Sequence, residues 1–152
     1  MNSENCCRWA NDKEGILRAY HDHEWGIASH DDQHLYELLI LEAFQAGLSW
    51  SIVLKKREAF RQALDNFDCQ KIASYDELKI NELMNNPKLI RNRRKFNAMI
   101  GNSKVFLAIQ KEFGSFDTYI WGFTKGQVIK NHDDQIPTTS PLSDMISKDL
   151  IR

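Results

Sequence analysis

The sequence predicts an all-helical fold, and two patterns support this class. Apolar residues recur mainly at intervals of three, four and seven, the spacing that places side chains on one face of a helix. No segment alternates apolar and polar residues in the way that a half-buried strand does. Only three prolines and seven glycines occur, and there is no internal repeat, so little interrupts the helical segments.

The first clear helix is predicted from about residue 32 to residue 46. Asp31 and Asp32 can cap its start, and Gly47 can end it. Helical spacing places five residues on what we predict to be its apolar face, namely Leu35, Leu38, Leu39, Glu42 and Ala46.

Two further helices are expected before the middle of the chain. Ser49 can cap the first of them, whose inner face would hold Val53, Phe60, Leu64 and Phe67. Asp76 can cap the second, which carries Leu78 and Leu83. The sequence Asn85-Asn86-Pro87 then signals a turn.

The second half of the chain begins with a long helix. It is predicted from about Arg93 to Phe113, with Phe96, Met99, Ile100 and Phe106 facing inward. Gly114-Ser115 breaks it, and a short aromatic helix spans Phe116 to Phe123. The polar stretch 131–141 is expected to form a loop, and a last helix should begin near Ser143 and continue to the end of the chain.

The overall composition limits the classes of function. A chain of 152 residues favours one domain, and its net charge of −1 means that any binding to nucleic acid must depend on a local basic patch. The polar segment 1–9 does not predict a secretion signal, and no apolar run is long enough to predict a membrane span. Cys6, Cys7 and Cys69 do not form a disulfide pattern, so we expect a reducing, cytoplasmic setting.

Glu42 is the first residue that suggests chemistry, because a carboxylate on an apolar helix face is costly to bury without a partner. It can be a structural acid that pairs with an arginine, which periodicity alone favours. It can also line a pocket and await a cationic or amine-bearing ligand. Trp9, Tyr20, Trp25 and Trp50 supply flat faces that could stack a base, although aromatic clusters are usually core packing.

A basic run spans the turn before the long helix. Five cations fall within eight residues and could hold DNA phosphates together with the helix N-terminus; they are Lys88, Arg91, Arg93, Arg94 and Lys95. The alternative is a solvated helix start. Cys7 and His21, with His23 nearby, are residue types that bind zinc, but their loose spacing is equally compatible with a buried thiol and a surface imidazole.

Several strings together carry a family resemblance. They are Cys7-Arg8-Trp9, then Tyr20-His21-Asp22-His23-Glu24-Trp25-Gly26, then Leu41-Glu42-Ala43-Phe44-Gln45-Ala46-Gly47-Leu48-Ser49-Trp50, followed by Leu54-Lys55-Lys56-Arg57, Ile90-Arg91-Asn92-Arg93-Arg94-Lys95 and Ser147-Lys148-Asp149-Leu150. In this order, and over nearly the whole chain, they resemble the signature of the DNA-3-methyladenine glycosylase I family.

The resemblance implies a helix–hairpin–helix DNA glycosylase fold, with residues 87–95 as the hairpin that grips the DNA backbone. It implies that Glu42 contacts the flipped base between Tyr20 and Trp50, with Trp9 near. It also implies that Gly47 and Leu48 fill the gap left in the duplex, and that Cys7 and His21 are half of a structural zinc site.

The implied reaction is hydrolysis of the N-glycosidic bond of 3-methyladenine in double-stranded alkylated DNA, by a chain that we expect to be monomeric. A methyl group at N3 makes the adenine cationic, so an ionised Glu42 and the Trp50 ring would select it over neutral adenine. Family members continue for a few dozen residues beyond position 152 and supply the other two zinc ligands there, so we expect residues 1–152 to form a single domain without that segment. A catalytically impaired module that binds damaged DNA, or a helical protein-interaction domain, remains the alternative.

Overall fold

A computed structural model describes residues 7–131 and 136–151, and these residues form helices without strands. Eight α-helices lie within these ranges: α1 Ile16–His23, α2 Asp32–Gln45, α3 Trp50–Ala63, α4 Cys69–Ala73, α5 Glu77–Asn85, α6 Arg93–Phe113, α7 Phe116–Gly122 and α8 Pro141–Leu150. Short 3₁₀ turns at Arg8–Ala10 and Asp65–Phe67 complete the described architecture. The all-α prediction is confirmed.

Most helix boundaries follow from local capping. The side chains of Asp31, Asp76 and Ser115 accept backbone N–H groups at the starts of α2, α5 and α7. Ser49 occupies the N-cap position of α3, although its hydroxyl makes no capping bond there. Gly114 ends α6 with a φ of 88°, a conformation that glycine adopts without steric cost.

The core lies where α2, α3, α4 and α6 meet. The Phe44 ring is 4.8 Å from that of Phe60 and 5.3 Å from that of Phe96. Phe106 stacks on Phe116 at 4.4 Å and so carries the core from α6 to α7. The four inner residues predicted after Ser49, Val53, Phe60, Leu64 and Phe67, are all buried.

The turn that follows α3 has an unusual backbone. Asp65, Asn66 and Phe67 have φ values of 50°, 55° and 57°, in the left-handed region that residues other than glycine seldom occupy. The fully buried Phe67 ring and the Gln33 amide, which donates to the carbonyls of Asn66 and Phe67, hold this turn in place.

Several predicted details differ from the structure. Leu78 is 77% exposed, and Ile80 takes the inward position on α5. The last helix begins at Pro141, two residues before Ser143, because the Ser140 side chain caps it, and it ends at Leu150. Residues 132–135 of the predicted loop lie outside the described residues. None of the described helices has both the length and the apolar character needed to cross a membrane.

The predicted inner face of α2 is wrong. The buried residues of this helix are Tyr36, Glu37, Ile40, Leu41 and Phe44, whereas Glu42 and Ala46 are exposed. Apolar residues occur all round α2, so its spacing did not define a single face. The error reverses the environment of Glu42, which points away from the core.

Candidate base-binding site and DNA interface

The aromatic residues predicted to surround the base do lie together. The Tyr20 ring of α1 meets the Trp50 ring at the start of α3 edge-on, with centroids 5.4 Å apart. Trp9 lies 6.3 Å from Tyr20 and 5.3 Å from Trp25. Residues far apart in sequence therefore form one wall of polarizable rings, which can stack a planar base.

The Glu42 carboxylate acts on this wall. Burial is the main cause of the raised pKa of Tyr20, and the negative charge of Glu42 raises it further. The side chain is exposed, and no residue in the described ranges forms a hydrogen bond or ion pair with it. Partial desolvation nevertheless raises the pKa of the Glu42 carboxyl. The described residues therefore give no support to the structural-acid interpretation, and within them the carboxylate is free to meet a ligand.

Trp50 adds a second unsatisfied group. Its indole Nε1 is buried and finds no hydrogen-bond acceptor in the described part of the chain. A buried donor without a partner costs about 1–3 kcal/mol, so such groups are kept mainly where function requires them. Within the described part of the chain, the Tyr20 ring thus contacts an indole whose N–H has no acceptor and feels the charge of a carboxylate that has no partner.

The acid that is buried and paired is Glu37, a residue that the sequence analysis did not single out. Arg57 donates to Glu37, and also to Glu24 at 2.7 and 2.9 Å. Arg61 reaches Glu37 at 2.8 Å, and His34 lies 2.6 Å from Glu24. This ionic cluster, formed by Arg57, Glu24, Glu37, Arg61 and His34, joins α1, α2 and α3, the helices that carry or border the base-site residues.

The basic run divides into two groups. Arg93 pairs with Glu77 at 2.6 Å and also contacts Asn81, while Lys95 donates to two backbone carbonyls. The side chains of Lys88, Arg91 and Arg94 are exposed and have no acidic partner within residues 7–131 and 136–151. Leu89 is buried between them and fixes this turn to the core. Four of the five are therefore exposed, and three of these four have no acidic partner in the described ranges.

The two residues predicted to act as a wedge, Gly47 and Leu48, form a tight turn directly after α2. Gly47 follows α2 with a φ of 79°, which permits the tight turn, and Leu48 is only partly buried. The Leu48 N–H donates to the Gln45 carbonyl at 2.7 Å, and the Gln45 amide donates back to the Leu48 carbonyl at 3.1 Å. This wedge turn, residues 46–49, connects the helix of Glu42 to Trp50.

Comparison with known proteins places these features in a family. Residues 9–152 match the family model described as methyladenine glycosylase. A DNA-3-methyladenine glycosylase of Haemophilus influenzae is 42% identical over 147 residues, which cover 95% of this chain and 79% of that protein. The chain belongs to the methyladenine glycosylase family.

Solved structures agree with this assignment. A crystal structure of 3-methyladenine DNA glycosylase I has a TM-score of 0.86 and 39% identity, covering 95% of this chain and 81% of that one. A second crystal structure, of a variant of 3-methyladenine DNA glycosylase I in complex with 3-methyladenine, has a TM-score of 0.85 and 32% identity, covering 92% of this chain and 77% of that one. The resemblance found in the sequence is confirmed, and the fold is that of these glycosylases.

The zinc site on Cys7 and His21 stays a prediction. His21 Nδ1 lies 2.8 Å from the Asp22 carboxylate, an arrangement that commonly orients a metal-binding imidazole. However, no group of three or more His, Cys, Asp or Glu residues that could hold a metal ion occurs in the described ranges. Cys7 and His21 would supply two ligands of the predicted tetrahedral site, and the described residues do not complete it.

An apolar cavity of about 410 Å³ was not foreseen from the sequence. Its walls come from α2, α7, α8 and the segment after α7, and include Leu35, Leu38, Ile120, Trp121, Leu142 and Ile146. Glu42, Tyr20 and Trp50 do not line it. The sequence hinted at this cavity only through Leu35 and Leu38, which were predicted to face the core and instead line the cavity.

Proposed function

We propose that this chain removes 3-methyladenine from alkylated double-stranded DNA by hydrolysing the N-glycosidic bond of a base that has been flipped out of the duplex. Family membership and the similarity to a glycosylase bound to 3-methyladenine support this function. The observation that carries this proposal is Glu42, a partly desolvated carboxylate that acts on the Tyr20 ring and has no cation partner among residues 7–131 and 136–151.

Recognition follows from charge. 3-Methyladenine in DNA is a cation, and the Glu42 carboxylate can attract it and accept a hydrogen bond from its exocyclic amine. The rings of Tyr20 and Trp50, 5.4 Å apart, can stack on the base and add a cation–π attraction on the order of 2 kcal/mol when desolvated. Neutral adenine gains much less from both contacts, so the site discriminates by charge.

The chemical step needs little acid catalysis, because the methylated base leaves as a neutral molecule. The C1′–N9 bond breaks with its electron pair going to the base, and water adds to C1′ and loses a proton. The role of the chain is to hold the flipped nucleotide, which costs roughly a few kcal/mol of stacking and pairing. Leu48 would offset part of this cost by filling the vacancy in the duplex.

Lys88, Arg91 and Arg94 supply the backbone contacts in this proposal. They are exposed and lie around the turn between α5 and α6, where a hairpin that grips phosphates is expected. We further propose that one monomer acts on one lesion, in the cytoplasmic setting that the cysteines predict. A structural zinc on Cys7 and His21 remains a prediction, and no step described here depends on it.

The test is single-turnover release of free 3-methyladenine from methylated duplex DNA by the 152-residue chain. Glu42→Ala should abolish release and Glu42→Gln should lower it by about 10² to 10³-fold, since two charges 4 Å apart gain about 4 kcal/mol at an effective dielectric constant of 20. DNA affinity should change little in either variant.

Glu112→Gln, an exposed acid on α6, is the matched control and should release base at the wild-type rate. Full activity of Glu42→Ala would show that Glu42 is not the recognition group. If the wild-type chain bound damaged duplex and released no base, the catalytic proposal would fail and a damaged-DNA-binding module would be the correct description.

A further inference from the structure

We propose that Lys95 is a positioning residue that fixes the wedge turn, and that it does not serve as a phosphate ligand. This inference rests on the proposed function and gives one member of the basic run a different task. It is carried by the contacts of the Lys95 ammonium, which join α6 to the end of α2 across about fifty residues of sequence.

The geometry of this contact is specific. Lys95 Nζ donates to the carbonyl of Phe44 at 2.6 Å and to the carbonyl of Ala46 at 2.7 Å. Carbonyls at the end of a helix have no partner within it, and the C-terminal end also carries a partial negative charge. The ammonium therefore satisfies two acceptors and meets a favourable electrostatic field at the same time.

A phosphate would compete poorly for this ammonium. If Lys95 turned towards the DNA backbone, the carbonyls of Phe44 and Ala46 would lose their donor, and one of the two contacts is partly buried. Its neighbour Arg94 is exposed and has no acidic partner in the described ranges, so it can reach a phosphate without breaking any bond. Adjacent cations thus have different environments.

The position of the contact shows what it controls. Ala46 is the first residue of the wedge turn and precedes Gly47 and Leu48, while Phe44 lies two residues after Glu42. Lys95 lies in the first turn of α6, directly after the exposed cations of the α5–α6 turn. When those cations bind the duplex, the bonds of Lys95 fix the position of Leu48 relative to the duplex. We therefore expect Lys95 to affect base flipping more than DNA affinity.

Lys95→Met and Arg94→Met provide a matched pair, because each removes one cation from adjacent positions. For Lys95→Met, single-turnover release at saturating DNA should fall at least tenfold, while the dissociation constant changes less than threefold and the salt dependence of binding is unchanged. For Arg94→Met, the slope of log affinity against log salt should become shallower by about 0.9, the contribution of one phosphate contact, and the flipping signal of the bound DNA should stay closer to that of the wild type than in Lys95→Met.

The fluorescence of 2-aminopurine placed beside the lesion reports flipping without requiring catalysis, and it should drop in Lys95→Met. Lys95→Gln, which keeps N–H donors without the charge, serves as a second variant if the methionine substitution prevents folding. A normal flipping signal and rate together with a shallower salt slope in the Lys95 variants would overturn the inference. Absence of base release by the wild-type chain would instead refute the proposed function, and the flipping signal would still decide the role of Lys95.

Discussion

Removal of the Arg57 guanidinium should destabilise the protein strongly, because this side chain is the centre of the ionic cluster. Arg57 is 13% exposed, and its partners Glu24 and Glu37 are 17% and 10% exposed. In Arg57→Met both carboxylates stay in place and lose their shared cation. Glu24 retains His34 at 2.6 Å, and Glu37 retains Arg61 at 2.8 Å.

The size of the effect follows from this arrangement. Breaking a buried ion pair by removing one partner costs about 3–5 kcal/mol. Since each acid keeps another partner, we expect the lower value, about 3 kcal/mol. For a domain of this length, 1 kcal/mol corresponds to roughly 2–4 °C in the midpoint of thermal unfolding, so the midpoint should fall by about 6–12 °C.

The effect should depend on pH in a defined direction. Burial acts to raise the pKa of Glu24, but the bonds from Arg57 and His34 outweigh it and hold the pKa below its usual range. A carboxyl with a depressed pKa contributes stability that is present above the pKa of the unfolded chain and is lost as pH falls through the folded value. The difference between Arg57→Met and the wild type should therefore shrink at acid pH.

Thermal and urea unfolding at pH 7 and at acid pH measure this difference. Lys55→Met is the matched control, because its pair with Glu14 is also short, 2.7 Å, but 45% and 57% exposed, and exposed pairs contribute about 0–1 kcal/mol. If the free energies of unfolding of Arg57→Met and Lys55→Met differed by less than 1 kcal/mol at pH 7, the ionic cluster would not be a main source of stability between the helices of the base site.

Two other substitutions test the environments of single acids. Burial raises the pKa of Glu42, so the native state binds its proton more tightly than the unfolded state does, and ionisation lowers stability as pH rises. Glu42→Gln should therefore unfold at a higher temperature than the wild type at pH 7 but not at pH 4, and equal unfolding midpoints at pH 7 would contradict this. Wild-type base release should decline as pH falls through the raised pKa. Asp32 accepts bonds from Gln110, Phe116 N–H and Asp117 N–H at 2.7–2.8 Å, so Asp32→Ala should cost about 2–3 kcal/mol in urea unfolding, and a loss below 1 kcal/mol would show that water replaces these bonds.

The sequence predicted helix boundaries well because caps act over a few residues. Asp31, Asp76 and Gly114 lie directly beside the helix ends that they define. Helices α1 and α4, of eight and five residues, were not predicted, because they are too short to display a repeating apolar pattern. Helices can therefore be predicted from the sequence when they are long or when capping residues mark their ends.

The residues proposed for the site lie near one another, but their physical setting was not predicted, and their roles remain a prediction. The motif strings identified Glu42, Tyr20 and Trp50, and the structure brings them together. Periodicity placed Glu42 on the buried face, whereas Glu37 occupies that position and pairs with Arg57. The partners of Lys95 lie 49 and 51 residues away, and no local pattern indicates such contacts. Charge pairing depends on tertiary packing, which spacing along one helix does not encode.

The basic run contains paired and unpaired cations, and this difference affects how strongly the protein would bind undamaged DNA during its search for lesions. If the three cations without an acidic partner in the described ranges make the proposed phosphate contacts, a fourfold rise in salt should weaken binding to undamaged duplex about 40-fold. Five such contacts would weaken it about 500-fold, because each phosphate contact adds about 0.9 to the logarithmic slope. Lower affinity shortens the residence time on undamaged DNA. A shorter residence time would let one molecule sample more sites between lesions. The Lys95 bonds, and to a smaller extent the exposed Arg93–Glu77 pair, would thus favour brief binding to undamaged DNA over high affinity for it.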